Sequence, residues 1–407
     1  MVTLLSVLLK KLKNISMIKT PYYIIDLKQL EKNLADLREA FIALWPNLVV
    51  GYSFKTNNLP WIASWMKSRH VYAEVVSSSE YELAKYVGYD DSQVIINGPC
   101  KGYEAMEKIL KAGGIVNLDN FQEIAHIQEC LSDCPQVIKV GLRVNFDLES
   151  YCPGETIPGK EPGRFGFNIE NGDFIKAIAH IKKIPNVKVV GIHAHHSTKT
   201  KSLSIFKAIT TKACECATLC DTLEYIDLGG CMFGDKPGAP SFGEYAQTIV
   251  SVFKQYQIPE HVKLILEPGA ALIASPVSYV CKVISTKDIK DVRLVYTDGT
   301  IKHIAPQMNA IKFGYAARPS SSIVLKRQVV SGYTCIEMDR FLDMVDQKEL
   351  CVGDEITIYN VGAYTISLAP LFIEYFPAVI VKDGDSYQVV REHWSTEEFT
   401  RKNYLYI

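Results

Sequence analysis

Eight short segments rich in Val, Ile and Leu recur between residues 48 and 269, and each of the first seven is followed by a stretch with helical periodicity. The strand-like segments are "LVVGYSFK" (48–55), "VYAEVVS" (71–77), "QVIING" (93–98), "GIVNLD" (114–119), "VIKVGLRVN" (137–145), "VKVVGIHAHH" (187–196), "YIDLGG" (225–230) and "KLILEPG" (263–269). Helical stretches between them include "SSEYELAKYVG", "GYEAMEKILKAGG", "FQEIAHIQECL", "DFIKAIAHIKKI" and "SFGEYAQTIVSVFKQY". Near-continuous apolar strands joined by helical crossovers require a parallel sheet covered on both faces. Eight in succession predict an α/β fold of the closed (β/α)8 TIM-barrel type. An open doubly wound sheet is the alternative if one strand assignment fails.

Beyond about residue 272 the texture changes. "SYVCKVIS", "VRLVYTDG", "DEITIYN" and "SYQVVREH" alternate as strands do, and helical periodicity nearly vanishes. This predicts a second, mostly β domain, a C-terminal β-sandwich or barrel. "TPYYIID" (20–26) is a further strand ahead of the barrel that can join that sheet. The expected boundaries are an N-terminal segment 1–27 contributing to the β domain, a barrel over 28–272, and the β domain over 273–407. Residues 146–172 lack strong periodicity and are rich in Gly and Pro; irregular loops of this length in compact domains are usually functional. Leu4, Leu5, Leu8, Leu9 and Leu12 fall at helical spacing, which predicts a short amphipathic lead-in helix over 1–17, with Met17 as an alternative start.

A formal net charge of −1 gives no electrostatic reason to expect a nucleic-acid or acidic-membrane partner. No apolar run approaches the roughly 18 residues that span a bilayer. Cys214, Cys216 and Cys220, and the pair Cys130 and Cys134, lie on helix-like segments without a second ligand pair at zinc-finger spacing. Eleven cysteines in a chain of this length read as reduced thiols in a cytoplasmic protein, with no metal expected.

In such a barrel, function collects at the C-terminal ends of the strands. The sequence places Lys55, Glu74 with Ser77, Asn97, Arg143 with Asn145, and His195 with His196 there, followed by Asp227-Leu228-Gly229-Gly230 and Glu267-Pro268-Gly269. Taken singly, each is a capping or solvated residue, and Lys55 alone is a lysine snorkelling to the surface. A lysine, a carboxylate, histidines and two glycine turns on one rim are together the parts of a phosphate-bearing cofactor site.

The motif order resembles the diaminopimelate/ornithine decarboxylase family, pyridoxal 5'-phosphate enzymes of fold type III with an alanine-racemase-like barrel. "YSFKTN" is similar to that family's cofactor-lysine strand, "AEVVSSSEYELA" to its second strand and helix, "HAHHST" to its histidine motif and "DLGGCMF" to its glycine turn. "EPG", "YTCIEMD" and "GAY" follow in the family's order, so the resemblance runs from about residue 20 to about 375. It implies an amino-acid carboxy-lyase in which Lys55 forms a Schiff base with the pyridoxal aldehyde and a quinonoid follows loss of CO2. An amine is nucleophilic only when unprotonated. Glu267 would face the pyridine nitrogen and keep the ring an electron sink. His195 would stack on the ring. Gly229, Gly230 and the turn containing Gly269 and Ala270 would offer backbone N–H groups to the phosphate. Glu74, Arg143, Thr198, Cys231 and Tyr364 complete the implied cofactor set. Cys335 would come from the partner subunit of a homodimer and protonate Cα. Asp339 and Tyr364 would help to build that shared wall, with Ile336 and Asp298 on the substrate side.

Departures from the family pattern bear on the substrate. Ala270 stands where the family continues "EPG" with arginine, and Ala305 occupies the place of another arginine in diaminopimelate enzymes. Ile336 stands where relatives that bind a distal amine place an acid, with Glu337 one position later; His196 and Ser197 replace an aliphatic–glycine pair. A buried carboxylate without a partner is strongly disfavoured, which argues against meso-diaminopimelate and for a basic or modified amino acid. A racemase of the same fold is the alternative, although racemases oppose the ring nitrogen with arginine and not with an acid such as Glu267. A catalytically inactive, partner-binding relative is a further alternative, opposed by the presence of Lys55, His195, Glu267, Cys335 and Tyr364.

Overall fold

The computed structural model describes residues 11–12, 18–220, 222–234, 236–307 and 312–404, which form two compact units: Asn33–Ala271, and Met1–Lys32 with Leu272–Ile407. In the first, strands β1 (Leu48–Ser53), β2 (Tyr72–Val75), β3 (Val94–Ile96), β4 (Ile115–Leu118), β5 (Ile138–Asn145), β6 (Val187–His193), β7 (Tyr225–Asp227) and β8 (Lys263–Leu266) are all parallel. Their order is β4-β3-β2-β1-β8-β7-β6-β5, and a β4–β5 pairing closes the barrel. The eight expected strands are present. Each of the first seven is followed by a helix: α1 (Pro60–Ser68), α2 (Ser78–Tyr86), α3 (Tyr103–Lys111), α4 (Phe121–Leu131), α5 (Asp173–Ile181), α6 (Leu203–Ala217) and α7 (Phe242–Gln255).

Local chemistry sets the helix starts. Ser77 accepts a hydrogen bond from Glu80 N (3.2 Å) and caps α2, and Glu80 in turn accepts from Val76 N (2.8 Å). Ser77 therefore has the bland role for a strand-end serine. Asn120 caps α4 in the same way, and Ser241 with Glu244 forms a capping box on α7. The expected strand over 48–55 stops at Ser53, and Phe54–Thr56 form a single 3₁₀ turn that carries Lys55.

The barrel interior is apolar at one level and polar at another. Ile95, Val190, Tyr225 and Ile265 form a buried cluster. The Tyr225 ring occupies the space that side chains at Gly141 and Gly191 would fill, because a Cβ at either position would overlap it. Its hydroxyl donates to Asn117 Oδ1 at 2.9 Å, which satisfies a group buried in an otherwise apolar layer.

The second unit is mostly β, as expected, and its strands form a single ten-stranded mixed sheet among the described residues. Tyr22–Asp26 joins it, antiparallel to Val277–Ile289 and parallel to Ala378–Asp383. Tyr315–Arg318, Val324–Ser331, Arg340–Lys348 and Ala378–Asp383 are strands that alternation alone did not single out. Two of these, "VLKRQVVS" and "RFLDMVDQK", are rich in charge, and Arg327 pairs with Asp343 across them at 2.8 Å. The lead-in helix expected over 1–17 lies outside the described residues except at Lys11–Leu12, a two-residue strand paired with Tyr387 and Gln388. Among the described residues all cysteines are free thiols, and no helix is long and apolar enough to cross a membrane.

Gly191→Ala forces a methyl group into the Tyr225 ring. Overpacking of this kind costs about 1–3 kcal/mol, so the urea midpoint is expected to fall. An unchanged midpoint would show that the interior layer is looser than described.

Candidate active site

Lys55 sits just past the end of β1, on a turn pinned by the buried side chains of Phe54 and Thr56 and by a hydrogen bond from Tyr52 Oη to Asn57 O (2.9 Å). Its Nζ lies 2.6 Å from Glu74 Oε2; the lysine side chain is 40% exposed and the glutamate 1%. The ammonium thus turns toward a buried carboxylate at the end of β2 and does not snorkel away from the core. The β1–β2 register places Ser53 opposite Glu74, which delivers the two groups to the same level.

From Glu74 a polar chain crosses the barrel. Asn97 Nδ2, just beyond β3, donates to Glu74 Oε1 (3.2 Å) and to Glu267 Oε1 (2.6 Å). Asn117 Nδ2 on β4 donates to Asn97 Oδ1 and to Asp227 Oδ2, both at 2.9 Å. Gly229 N donates to Asp227 Oδ1 at 2.9 Å. Both oxygens of Asp227 therefore accept from N–H groups. Glu267 Oε1 accepts from Asn97, His193 Nε2 lies 3.9 Å from Oε2, and the Glu267 carboxyl also shares a side-chain hydrogen bond with Asp227.

Burial raises the acidity threshold of these carboxyls unequally. Burial pushes Glu74 up, but the charge of Lys55 and the hydrogen bonds from Lys55, Ser53 and Asn97 outweigh it and hold the group below the ordinary carboxylate range. Asp227 is pushed up to about 7 by burial, against the hydrogen bonds it shares with Glu267 and Gly229, and Glu74 adds repulsion. Glu267 is raised well above its usual range by burial and by repulsion from Asp227 and Glu74. His193 and His195 are held neutral, first by burial and then by the Arg143 charge. A neutral imidazole at 195 suits face-to-face contact with a flat ring better than a cation that must keep its hydration.

The rim has a cradle for a flat heteroaromatic group with an anionic arm. Gly229 has φ +64°, and any Cβ there would overlap the His195 ring. A Cβ at Gly230 would overlap Glu267 O, and one at Gly269 the Thr56 hydroxyl, so the two glycine turns pack where no other residue fits. Gly229 N–H, expected to serve a phosphate, is instead directed at Asp227. Arg143 is buried, its Nε has no partner, and its nearest polar contacts are long: Asp119 Oδ1 at 3.5 Å and His195 O at 3.4 Å. Its guanidinium lies 4.6 Å from the Phe165 ring centroid. An unsatisfied buried cation beside the His195 and Gly229 wall fits an anionic ligand group. The residues present therefore fit pyridoxal phosphate: Lys55 for the aldehyde, Glu267 Oε2 for the ring nitrogen, His195 for the ring face.

Thr198 is buried with its hydroxyl 3.4 Å from Cys231 Sγ, and Cys231 holds a positive φ of 67°. Ala270 begins the short helix Ala270–Ile273 and brings no charge to the turn. Between residues 145 and 168 and the His195–Ser197 segment lies an open cavity of about 910 Å³. His196 Nε2 contacts Phe146 O at 3.2 Å and so ties the strand end to that loop.

The β unit presents the remaining candidates. Cys335 and Ile336 line a smaller cavity of about 510 Å³ in that unit, with Cys335 exposed. Tyr364 is 45% exposed at a φ of 57°. Asp339 is only 2% exposed, and its carboxylate accepts from Thr300 Oγ1 (3.0 Å), Ile301 N (2.8 Å) and Thr334 Oγ1 (2.6 Å), which braces the loop carrying Cys335. Both Asp298 oxygens are engaged within the unit, by Thr20 Oγ1 (2.5 Å) and Lys282 N (2.8 Å).

The expected site did not include Asn117 or His193, and gave no role to Asn97 or Asp227. Asn117 is a polar residue inside an apolar strand, and His193 precedes His195 by two residues on the same face. Those were the available signals.

Because burial raises the Asp227 carboxyl above its unfolded value, this group's contribution to stability is full below about pH 4 and is lost as pH rises through about 7. Buried histidines, depressed in the fold, act in the opposite direction over the same range, so the test is a difference: in urea titrations of the cofactor-free protein, the stability of wild type relative to Asp227→Asn should fall across that window. An identical slope in the variant would contradict the assignment.

Comparison with known proteins agrees with this geometry. The family model for the "pyridoxal-dependent decarboxylase, pyridoxal binding domain" matches residues 27–274. The diaminopimelate decarboxylase of Methanocaldococcus jannaschii is 26% identical over 367 residues, covering 86% of this chain and 83% of its own. That of Neisseria meningitidis serogroup A is 27% identical over 395 residues, covering 93% of each. The solved structure of diaminopimelate decarboxylase from M. jannaschii in co-complex with L-lysine superposes with a TM-score of 0.85 at 24% identity, covering 96% of this chain and 93% of that one. The Paramecium bursaria Chlorella virus arginine decarboxylase gives 0.73 at 19% identity, covering 89% and 96%. The last two likenesses establish the fold. With a family match over more than half its length, a closed barrel, and a lysine and an acid linked across one rim, this chain belongs to the pyridoxal-dependent amino-acid decarboxylases.

Proposed function

We propose that the protein removes the α-carboxylate of a basic or modified amino acid other than meso-diaminopimelate, as a cytoplasmic homodimer whose active site is shared between subunits. The observation that carries the reading is the chain Lys55–Glu74–Asn97–Glu267, which sets a nucleophilic amine and a ring-nitrogen acid at two ends of one hydrogen-bonded path.

Bound pyridoxal phosphate supplies an electron sink that accepts the pair left behind when CO2 departs. The protein's residues do the rest. Glu74, at 2.6 Å, accepts a hydrogen bond from Lys55 Nζ and would orient that amine toward the cofactor aldehyde. Glu267 Oε2 holds a proton on the ring nitrogen. His195 covers one ring face and excludes water from it. Arg143 and the N–H groups of Gly230 and the Gly269 turn receive the phosphate, with Thr198 and Cys231 shaping the turn. Cys335 of the partner subunit delivers the proton that replaces CO2 at Cα. Exposed apolar side chains on the β unit, among them Met338, Tyr364, Phe372 and Ile373, suit burial against a second copy.

Two features favour a substrate larger than a free diamino acid. Ala270 and Ala305 offer no charge to a distal carboxylate, and Asp298, with both oxygens engaged, offers little to a distal amine. The cavity of about 910 Å³ beside His195 lies within the range of about 300–1,000 Å³ found for drug-sized ligands.

The holoenzyme should be yellow, and borohydride reduction followed by peptide mapping should find the cofactor on Lys55. CO2 release should favour side-chain-extended amino acids over meso-diaminopimelate. Cys335→Ala should retain the cofactor and slow turnover about 100-fold, the usual scale for a lost general acid. A protein that takes up no pyridoxal phosphate would sink the reading. Exchange of the α-hydrogen without CO2 release would make it a racemase.

A further inference from the structure

His193 is 1% exposed, yet neither of its ring nitrogens has a hydrogen-bond partner. A buried polar group left unpaired costs about 1–3 kcal/mol, so its retention in a packed barrel calls for a ligand-bound state in which it is used. The strand registers place it between Arg143 on β5 and Asp227 on β7, and its ring runs nearly parallel to that of His195, with centroids 6.4 Å apart. Its Nε2 is 3.9 Å from Glu267 Oε2, the oxygen that Asn97 leaves free.

We propose that His193 is a positioning residue whose Nε2–H closes onto Glu267 Oε2 when pyridoxal phosphate binds, holding Glu267 ionised and aimed at the ring nitrogen. The inference rests on Glu267 facing that nitrogen.

The charges around the site show why a donor is needed. Burial is the main force against a negative charge on Glu267; repulsion from Asp227 and Glu74 and a hydrogen bond shared with Asp227 add to it, and Lys55 offsets only part. A protonated Glu267 cannot hold a pyridinium N–H. Asn97 stabilises the anion through Oε1, and a second neutral donor on Oε2 completes the pair without adding charge to the lumen. His193 suits this role because it is kept neutral: burial and the cations Arg143, Lys55 and Lys101 oppose its protonation, and His195 stands beside it. Nothing opposite Nδ1 holds a proton there, so the proton is free to reside on Nε2. The separation of 3.9 Å is too short for an intervening water and closes to a hydrogen bond with a shift of about 1 Å.

The test compares wild type, His193→Met and His193→Gln, each titrated with pyridoxal phosphate and with its 1-deaza analogue, which lacks the ring nitrogen. Cofactor affinity is read from protein fluorescence, and the pH midpoint of the visible band is recorded. We expect His193→Met to weaken pyridoxal phosphate binding about 10-fold or more, the scale of a hydrogen bond to a charged group, and to shift the band's midpoint. Its affinity for the deaza analogue should be unchanged, and His193→Gln, which keeps an N–H donor, should recover most of the loss. Equal losses with both cofactors, no loss with either, or no rescue by Gln would overturn the proposal. A wild type that does not distinguish the two cofactors would instead overturn the placement of Glu267. Independently of any variant, the ¹⁵N shift of the His193 Nε2 should move on adding pyridoxal phosphate and stay in place with the deaza form; no movement would also refute the assignment.

Discussion

The amide of Asn97 bridges two buried carboxylates, Glu74 and Glu267, and the site depends on that bridge. Two like charges in a low-dielectric lumen repel strongly, and each pays for its own desolvation. A neutral donor shared between them offsets part of the repulsion without introducing a cation that would quench either one. Lys55 then pairs with Glu74, and Glu267 Oε2 faces His193 Nε2 at 3.9 Å. Asn117 repeats the arrangement one layer on, joining Asn97 to Asp227.

The surrounding barrel makes such a network affordable in structural terms. Beneath it, Ile95, Val190, Tyr225 and Ile265 form an apolar layer that excludes water, and glycines at 141 and 191 clear room for the Tyr225 ring. Above it, Gly229 packs on the His195 ring, Gly230 on the Glu267 carbonyl and Gly269 on Thr56. Stability comes from the strands and the outer helices, while the polar chain is carried by side chains at or just past the C-terminal ends of the strands.

Much of this was legible in the chain. Period-two and period-3.6 patterning located all eight barrel strands, because buried parallel strands and amphipathic crossovers leave strong, local signatures. Lys55, Glu74, His195 and Glu267 stood out because charged residues at the ends of apolar strands are conspicuous. Four strands of the β unit escaped notice; in Val324–Ser331 and Arg340–Lys348 charged side chains interrupt the apolar alternation. Gly229 looked like a phosphate donor in the motif, yet its N–H is taken by Asp227 two residues earlier. Asp339, read as part of a substrate wall, has its carboxylate engaged by Thr300, Ile301 and Thr334. Hydrogen-bond partnership is a property of three-dimensional neighbours, and no spacing rule reports it.

The sequence by itself determined the alternation of strands and helices, the point at which that alternation ends, and which residue types stand at each strand end. Those follow from side-chain polarity and local periodicity, which need no knowledge of the far side of the fold. Tertiary structure decided which of those groups meet: that Lys55 turns inward to Glu74, that Asn97 reaches Glu267, 170 positions further along the chain, and that His193 is buried with both nitrogens unpaired. Closure of the barrel sets these distances, because the β1–β8 and β4–β5 pairings together bring strands from both halves of the chain around one lumen.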